Sequence, residues 1–304
     1  MVTADEARLE LLGQLQACQY RFTAVTPETH TIVLTRPRPA RLTLRDIFGW
    51  NRTFNDADLE PQLLELMRTA DAVEEKHGGL QSRLRVASLG HRLFLHSSFP
   101  TRSADSVFFG PDTYRFTNFV LHEMREVPAP RWIVDMGAGS GAGGIVAAGQ
   151  SATARLSLVD VNPEAERLSR INADFAGVAA EITLGDRIPD GCDLVIANPP
   201  YMIDGAHRAY RDGRGLLGGE VALGWAEQAL ASFTRGGTLL LYTGAAVVED
   251  AIGLLDALAT VARDAGATIT HTEIDPDVFG NELVKPEYAT VDRIAAFGIK
   301  LVLK

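Results

Sequence analysis

An apolar run, Arg131-Trp132-Ile133-Val134-Asp135, passes directly into Met136-Gly137-Ala138-Gly139-Ser140-Gly141-Ala142-Gly143-Gly144. This junction constrains the fold more than any other stretch of the chain. A strand that must turn at once into a helix needs residues without Cβ groups, both for the turn and for the close approach of a ligand. Glycines in a helix each cost about 1 kcal/mol, so a run this rich in them argues for a ligand rather than a bare turn.

Downstream of the junction the chain alternates regularly. Ala154 to Asp160, Asp193 to Ala197 and Gly237 to Tyr242 are apolar strand patterns, and Arg293 to Leu303 supplies a last one. Helical patterns fall between them at Pro163 to Phe175, Leu223 to Phe233 and Val247 to Ala265. Such alternation predicts an α/β fold, a doubly wound, mostly parallel sheet with helices on both faces. Residues 1–105 lack it and read as a smaller α+β N-terminal domain for substrate recognition, with residues 106–304 forming the main domain. In the smaller part, Leu9 to Leu15 suggests a helix and Thr31-Ile32-Val33-Leu34 a short strand. Asp56 to Glu75 suggests a second helix, and Leu84 to Leu95 a strand, a turn at Gly90 and a strand.

The 304 residues, 46% hydrophobic and 22% charged, are those of a globular protein with ample core. A net charge of -10 gives no general attraction to phosphate backbones. Cys18 and Cys192 are far apart, and the seven histidines show no ligand spacing, so no metal site is expected. An acidic start and the lack of a long apolar segment predict a cytoplasmic protein without a membrane anchor.

The glycine turn admits two cofactor classes. Gly139-Ser140-Gly141-Ala142-Gly143-Gly144 also fits the dinucleotide fingerprint G-x-G-x-x-G, so a nicotinamide-dependent oxidoreductase stays open. Asp135 argues against it, because a carboxylate there would repel a pyrophosphate. Asp160, ending the second strand, can accept from both ribose hydroxyls of either cofactor. Val161-Asn162-Pro163 fits an adenine edge followed by a helix start.

The third signal is Asn198-Pro199-Pro200-Tyr201, at the end of the run Cys192 to Ala197. Consecutive prolines fix the backbone and contribute no N–H, so the Pro199 carbonyl is presented outward. Tyr201 offers a flat face on which a planar group can stack. Taken together, in this order, these motifs resemble the class I S-adenosylmethionine-dependent methyltransferases, closest to the HemK-like, "small-domain" N-methyltransferases. The resemblance covers about Ser106 to Lys304. It implies a Rossmann-like fold, S-adenosyl-L-methionine as cofactor and methyl transfer to a planar amino or amide nitrogen. Asn198 and the Pro199 carbonyl would hold the nitrogen. Asp135 would lie near the methionine moiety, with Gly137, Gly139 and Gly141 beside the cofactor, Asp186 at the adenine amino group, and Thr113 in a Phe-x-Pro-type loop, Val107 to Thr113, that covers it.

For the acceptor, a glutamine side-chain amide of a protein, such as a release factor, is the first expectation. An amino group of an RNA base is second and a small molecule third. Arg208, Tyr210, Arg211 and Arg214 suggest a substrate loop, made mobile by Gly213, Gly218 and Gly219, or a solvated charged loop. Arg36, Arg38, Arg41 and Arg45 form a basic turn that could meet RNA phosphates.

Overall fold

The computed structural model describes residues 2–101, 103–151, 153–205 and 208–304. Its N-terminal elements are helices α1 (Ala4–Ala17), α2 (Pro27–Leu34) and α3 (Pro61–Thr69), followed by two antiparallel hairpins, β1 (Val73–Lys76) with β2 (Gly79–Ser82) and β3 (Leu84–Leu89) with β4 (Arg92–Ser97). The turn expected at Gly90 joins β3 to β4. Thr31 to Leu34 is helix, not strand. The β-branched run suggested extension, but Thr26 accepts from the Thr29 N–H at the N-cap and Pro27 occupies the first turn, and this cap decides the local structure. The helix expected over Asp56 to Glu75 is shorter, because Glu75 already pairs with Leu80 in the first hairpin.

Next come α4 (Pro111–Glu123), β5 (Trp132–Met136), α5 (Ala142–Ala148), β6 (Arg155–Asp160), α6 (Pro163–Ala176), β7 (Glu181–Leu184), β8 (Leu194–Ala197), the single turn α7 (Gly215–Gly218), α8 (Glu220–Ser232), β9 (Thr238–Val247), α9 (Gly253–Asp264), β10 (Ala267–Asp275) and β11 (Arg293–Leu303). A seven-stranded sheet runs β10-β11-β9-β8-β5-β6-β7, with β11 antiparallel to both neighbours and the remaining pairs parallel. This is the doubly wound α/β fold expected from the alternation. Side chains alternate across it. Val134 and Met136 enter a core with Ala222 and Ala226 of α8 and Leu258 of α9, whereas Ile133 enters the opposite core with Phe116 and Val120 of α4. The helix expected from Val247 starts only at Gly253, since Val247 still pairs with Arg293 in the sheet. Edge strand β10 was not anticipated. Among the described residues no helix is long and apolar enough to cross a membrane.

The N-terminal elements are built onto α6. Ala165, Leu168 and Ile171 of that helix are buried in the same core as Leu11, Leu12, Phe48 and Leu95. Asn172, fully buried, clamps three parts together. Its amide oxygen accepts from the Leu95 N–H at 2.9 Å, and its amide nitrogen donates to the carbonyls of Leu95 at 3.0 Å and Ser140 at 2.9 Å. One side chain thus fixes a hairpin strand and the glycine turn on the same helix.

Arg85, His30 and His96 form a buried basic cluster in this part. Arg85 lies opposite His96 in the β3–β4 register, and His30 stacks on Phe99 at 4.0 Å. Burial first, and the Arg85 charge second, depress His30 to about 4 and hold His96 well below its ordinary value. Both rings are neutral in the fold but protonate in the unfolded chain below about pH 6.5. The unfolded state therefore binds more protons at acid pH, and the contribution to stability, complete above about pH 6.5, is lost as pH falls toward 4. Asp135, raised to about 7 by burial, acts with the opposite sign between its unfolded value and neutrality. The expected result is that the urea midpoint of wild type falls more steeply from pH 7 to 5 than that of a His96→Gln variant. Parallel curves would contradict the burial assignment.

Candidate active site

A cavity of about 1480 Å³ opens along the carboxyl edge of β5, β6 and β8, the edge where such sheets bind ligands. Gly137 and Gly139 line it with φ of +71° and +55°, and an added Cβ at Gly137 would overlap the Trp225 ring. Gly141, also left-handed at +76°, is different. It is the N-cap of α5, does not line the cavity, and its missing Cβ makes room for Ile145, Ser169 and Leu158. In this structure the missing Cβ of Gly141 serves packing beneath the turn.

Asp135 ends β5 and is buried. Its carboxylate accepts from the Gly144 N–H at 2.7 Å, in the first turn of α5. Desolvation raises it to about 7 against that bond, and the nearby Asp160 charge raises it further. Asp160 ends β6. One of its oxygens accepts from the Gly139 N–H at 2.8 Å and the other from the Asn162 N–H at 2.9 Å. Burial is the largest influence on its pKa and raises it. Each oxygen has a further lone pair, so the carboxylate can be held by the protein and still take up two hydroxyls.

Val161 is half exposed on the cavity wall. Asn162 lines the wall too, but its side chain is committed: its oxygen caps α6 by accepting from the Glu164 N–H, and its nitrogen donates to the Asp105 carbonyl. Asp186, exposed, sits beside Gly185 on the rim, and Thr113 lies in the first turn of α4 on the same cavity. The segment Gly110-Pro111 is the start of that helix, with Pro111 in its first turn.

Asn198, Pro199, Pro200 and Tyr201 follow β8 on the cavity wall. The Asn198 amide makes no hydrogen bond to another described residue, which leaves its oxygen for a ligand. Tyr201 lines the cavity and is turned inward. It is only 8% exposed, its hydroxyl donates to Asp112 at 2.5 Å, and its ring lies against Gly244, where a Cβ would overlap it. Sequence reasoning missed Asp112, which also accepts from the Tyr242 hydroxyl at 2.8 Å. The only signal for it was its place beside Thr113 in the Val107 to Thr113 loop.

Among its described residues, the loop after the motif is tied to the rest of the fold. Arg208 pairs with Asp204 through two bonds of 2.7 Å, Arg211 with Glu282 at 2.5 Å, and the Tyr210 hydroxyl donates to the Thr101 carbonyl at 2.7 Å. Its glycines serve close packing. A Cβ at Gly213 would overlap the Gly218 carbonyl, and one at Gly218 the Tyr201 carbonyl. Gly213→Ala is expected to lower stability by about 1–3 kcal/mol through overpacking, read as a lower urea midpoint at unchanged slope. A wild-type midpoint would restore the mobile-loop reading. Arg36, Arg41 and Arg45 are exposed, and Arg38 pairs with Asp58. Among the described residues no cluster could hold a metal ion.

Residues 102–216 match the family model of the methyltransferase small domain. A release factor glutamine methyltransferase of Deinococcus radiodurans is 27% identical over 261 residues, 80% of this chain and 87% of that protein. A ribosomal RNA small subunit methyltransferase C of Pseudomonas fluorescens is 31% identical over 106 residues, 34% of this chain and 31% of that protein. The solved structure of Trm5b from Pyrococcus abyssi aligns with a TM-score of 0.51 at 15% identity, over 81% of this chain and 68% of that one, a likeness of fold. The family match and the relatives decide between the two cofactors that the glycine turn left open: the enzyme is an S-adenosylmethionine-dependent methyltransferase of Rossmann-like fold, similar to the release factor and ribosomal RNA methyltransferases above, with S-adenosylmethionine as its cofactor.

Proposed function

We propose that this methyltransferase acts on a planar nitrogen, and that the acceptor is a glutamine side-chain amide of a protein, with a peptide release factor as the leading substrate. The observation that carries the proposal is the Asn198 amide, held at the cavity wall by a Pro-Pro segment and uncommitted to any described residue. An amide nitrogen is a weak nucleophile because its lone pair is conjugated. Two acceptors on its N–H groups, the Asn198 oxygen and the Pro199 carbonyl, orient it and favour loss of planarity. S-adenosylmethionine supplies a methyl group on a sulfonium, a strong leaving group, so no tuned general base is needed. Asp160 would take the ribose hydroxyls, Val161 the adenine face and Asp186 the adenine edge. Gly137, Gly139, Asp135 and Thr113 would line the methionine end.

The charge of the cavity supports a protein acceptor. Nine carboxylates line it against three arginines among the described residues, and Arg208 and Arg211 are already paired. Such a wall disfavours a phosphate backbone. The relative from Deinococcus radiodurans, matched over most of both chains, points the same way. RNA is the second reading, supported by the ribosomal RNA methyltransferase relative and by the exposed Arg36, Arg41 and Arg45. We place the enzyme in the cytoplasm, where either acceptor occurs, and assign residues 1–105 to acceptor recognition, since Pro27, Thr31 and Phe99 line the same cavity. Labelled methyl transfer, offered a purified release factor and ribosomal RNA side by side, tests the choice. Label in the protein alone is expected, and label in the RNA alone would overturn it.

A further inference from the structure

The four-residue motif after β8 contains one aromatic ring, and a planar acceptor could stack on it. The surroundings of that ring give it other work. Asp112, in the first turn of α4 and 4% exposed, accepts from Tyr201 on one carboxylate oxygen. Its other oxygen accepts from Tyr242 of β9 at 2.8 Å and from Arg115 at 3.2 Å. Arg115 in turn donates to Asp275 of β10 at 2.7 Å. The Tyr201 ring fills the space over Gly244 of β9, with the Phe279 ring edge-on at 6.0 Å.

The next residues are braced as well. The Ile203 N–H donates to the Tyr288 hydroxyl at 2.8 Å, and Met202 exchanges backbone bonds with Arg211 and Gly213. Asn198, at the other end of the motif, is uncommitted. The segment is therefore fastened at its Tyr201 end and open at its Asn198 end. The fastening point, Asp112, is adjacent to Thr113, which lines the cavity from α4.

From this geometry we infer, resting on the assignment of Asn198 and Pro199 to the acceptor nitrogen, that Tyr201 is a positioning residue. Its hydroxyl, held by Asp112, locks the motif against α4 and β9 and so sets the distance between the acceptor nitrogen and the transferable methyl group, and its ring is not the platform on which the acceptor stacks. Burial pushes the Asp112 pKa up and the tyrosine hydrogen bonds oppose this, so the hydroxyls matter to the carboxylate as well as the reverse. A displacement of about 1 Å in such a loop can cost on the order of 10²-fold in rate without touching the chemistry.

The two roles separate on one substitution. Phenylalanine keeps the ring and removes the hydroxyl. In full-length protein, with labelled S-adenosylmethionine and whichever acceptor fraction takes label in wild type, Tyr201→Phe is expected to lower kcat about tenfold, within that cost of misplacement. Acceptor KM and the calorimetric cofactor Kd should stay within about twofold of wild type, since neither binding surface is changed. Wild-type kcat in Tyr201→Phe, with a raised acceptor KM in Tyr201→Ala, would make the ring a platform and overturn the inference. Should Tyr201→Phe fail to fold, Tyr242→Phe carries the test by removing the other hydroxyl from Asp112. A several-fold loss in kcat at constant KM supports the lock, and unchanged kcat overturns it. Asn198→Ala, run alongside, reports on the underlying assignment alone: full turnover there removes the transfer site from this segment whatever Tyr201 does.

Discussion

Replacing Asn198 with alanine is expected to reduce kcat by about 10²- to 10³-fold, the usual cost of deleting one aimed polar group at a reacting centre, while the calorimetric cofactor Kd stays near wild type. The side chain is short, sits just beyond β8 and has no hydrogen bond to any described residue that its loss would break. Stability should therefore change little, and the loss would read as chemistry rather than unfolding. The Pro199 carbonyl survives the substitution and retains one of the two acceptors, which is why the expected loss is large without being complete. Asn198→Asp keeps an oxygen at the same place but adds a charge beside a cavity already rich in carboxylates, so partial activity is expected from it. Turnover undiminished in Asn198→Ala would remove the residue from the reaction.

Asp160→Ala is expected to weaken cofactor binding by about 10²-fold, as the loss of two hydrogen bonds to a charged group predicts. Two losses combine. The ribose hydroxyls lose their acceptor, and the N–H groups of Gly139 and Asn162 lose the carboxylate that fixes the glycine turn and the start of α6. Asp160→Asn is the milder change. It preserves one acceptor and sets an NH2 against the other backbone N–H, so it should fall between wild type and alanine in both cofactor affinity and urea midpoint. Cofactor affinity unaltered by Asp160→Ala would mean that the ribose lies elsewhere on the cavity wall.

The main sheet was legible because strands buried on both faces must be apolar throughout. Ile133, Leu156, Leu158 and Leu194 to Ala197 announce themselves in the sequence. Strand β10 did not, because it lies at the edge of the sheet, and His271, Thr272 and Glu273 are exposed. Thr31 to Leu34 misled for the converse reason: β-branched side chains speak for a strand, and the cap five residues upstream outweighs them. At the proposed site, the placing of Gly137, Asp160 and Asn198 on one cavity was readable because the glycine turn, the strand end and the Asn-Pro-Pro-Tyr motif are local strings. The inward turn of Tyr201 was not. Its partner Asp112 is 89 residues away, and Tyr242 is 130 residues beyond Asp112, so no local pattern reports the network. The same holds for Gly213 and Gly218, read as hinges because glycine permits motion. In the fold they are required because backbone passes too close for a side chain.

The identity of the acceptor is the central claim, and one measurement addresses it directly. The protein is incubated with labelled S-adenosylmethionine and a purified release factor, and the product is digested and mapped by mass spectrometry. One added methyl group on a glutamine side chain is expected, present with wild type and lost with Asn198→Ala. A release factor left unlabelled under conditions in which the same enzyme methylates an RNA base would contradict the claim.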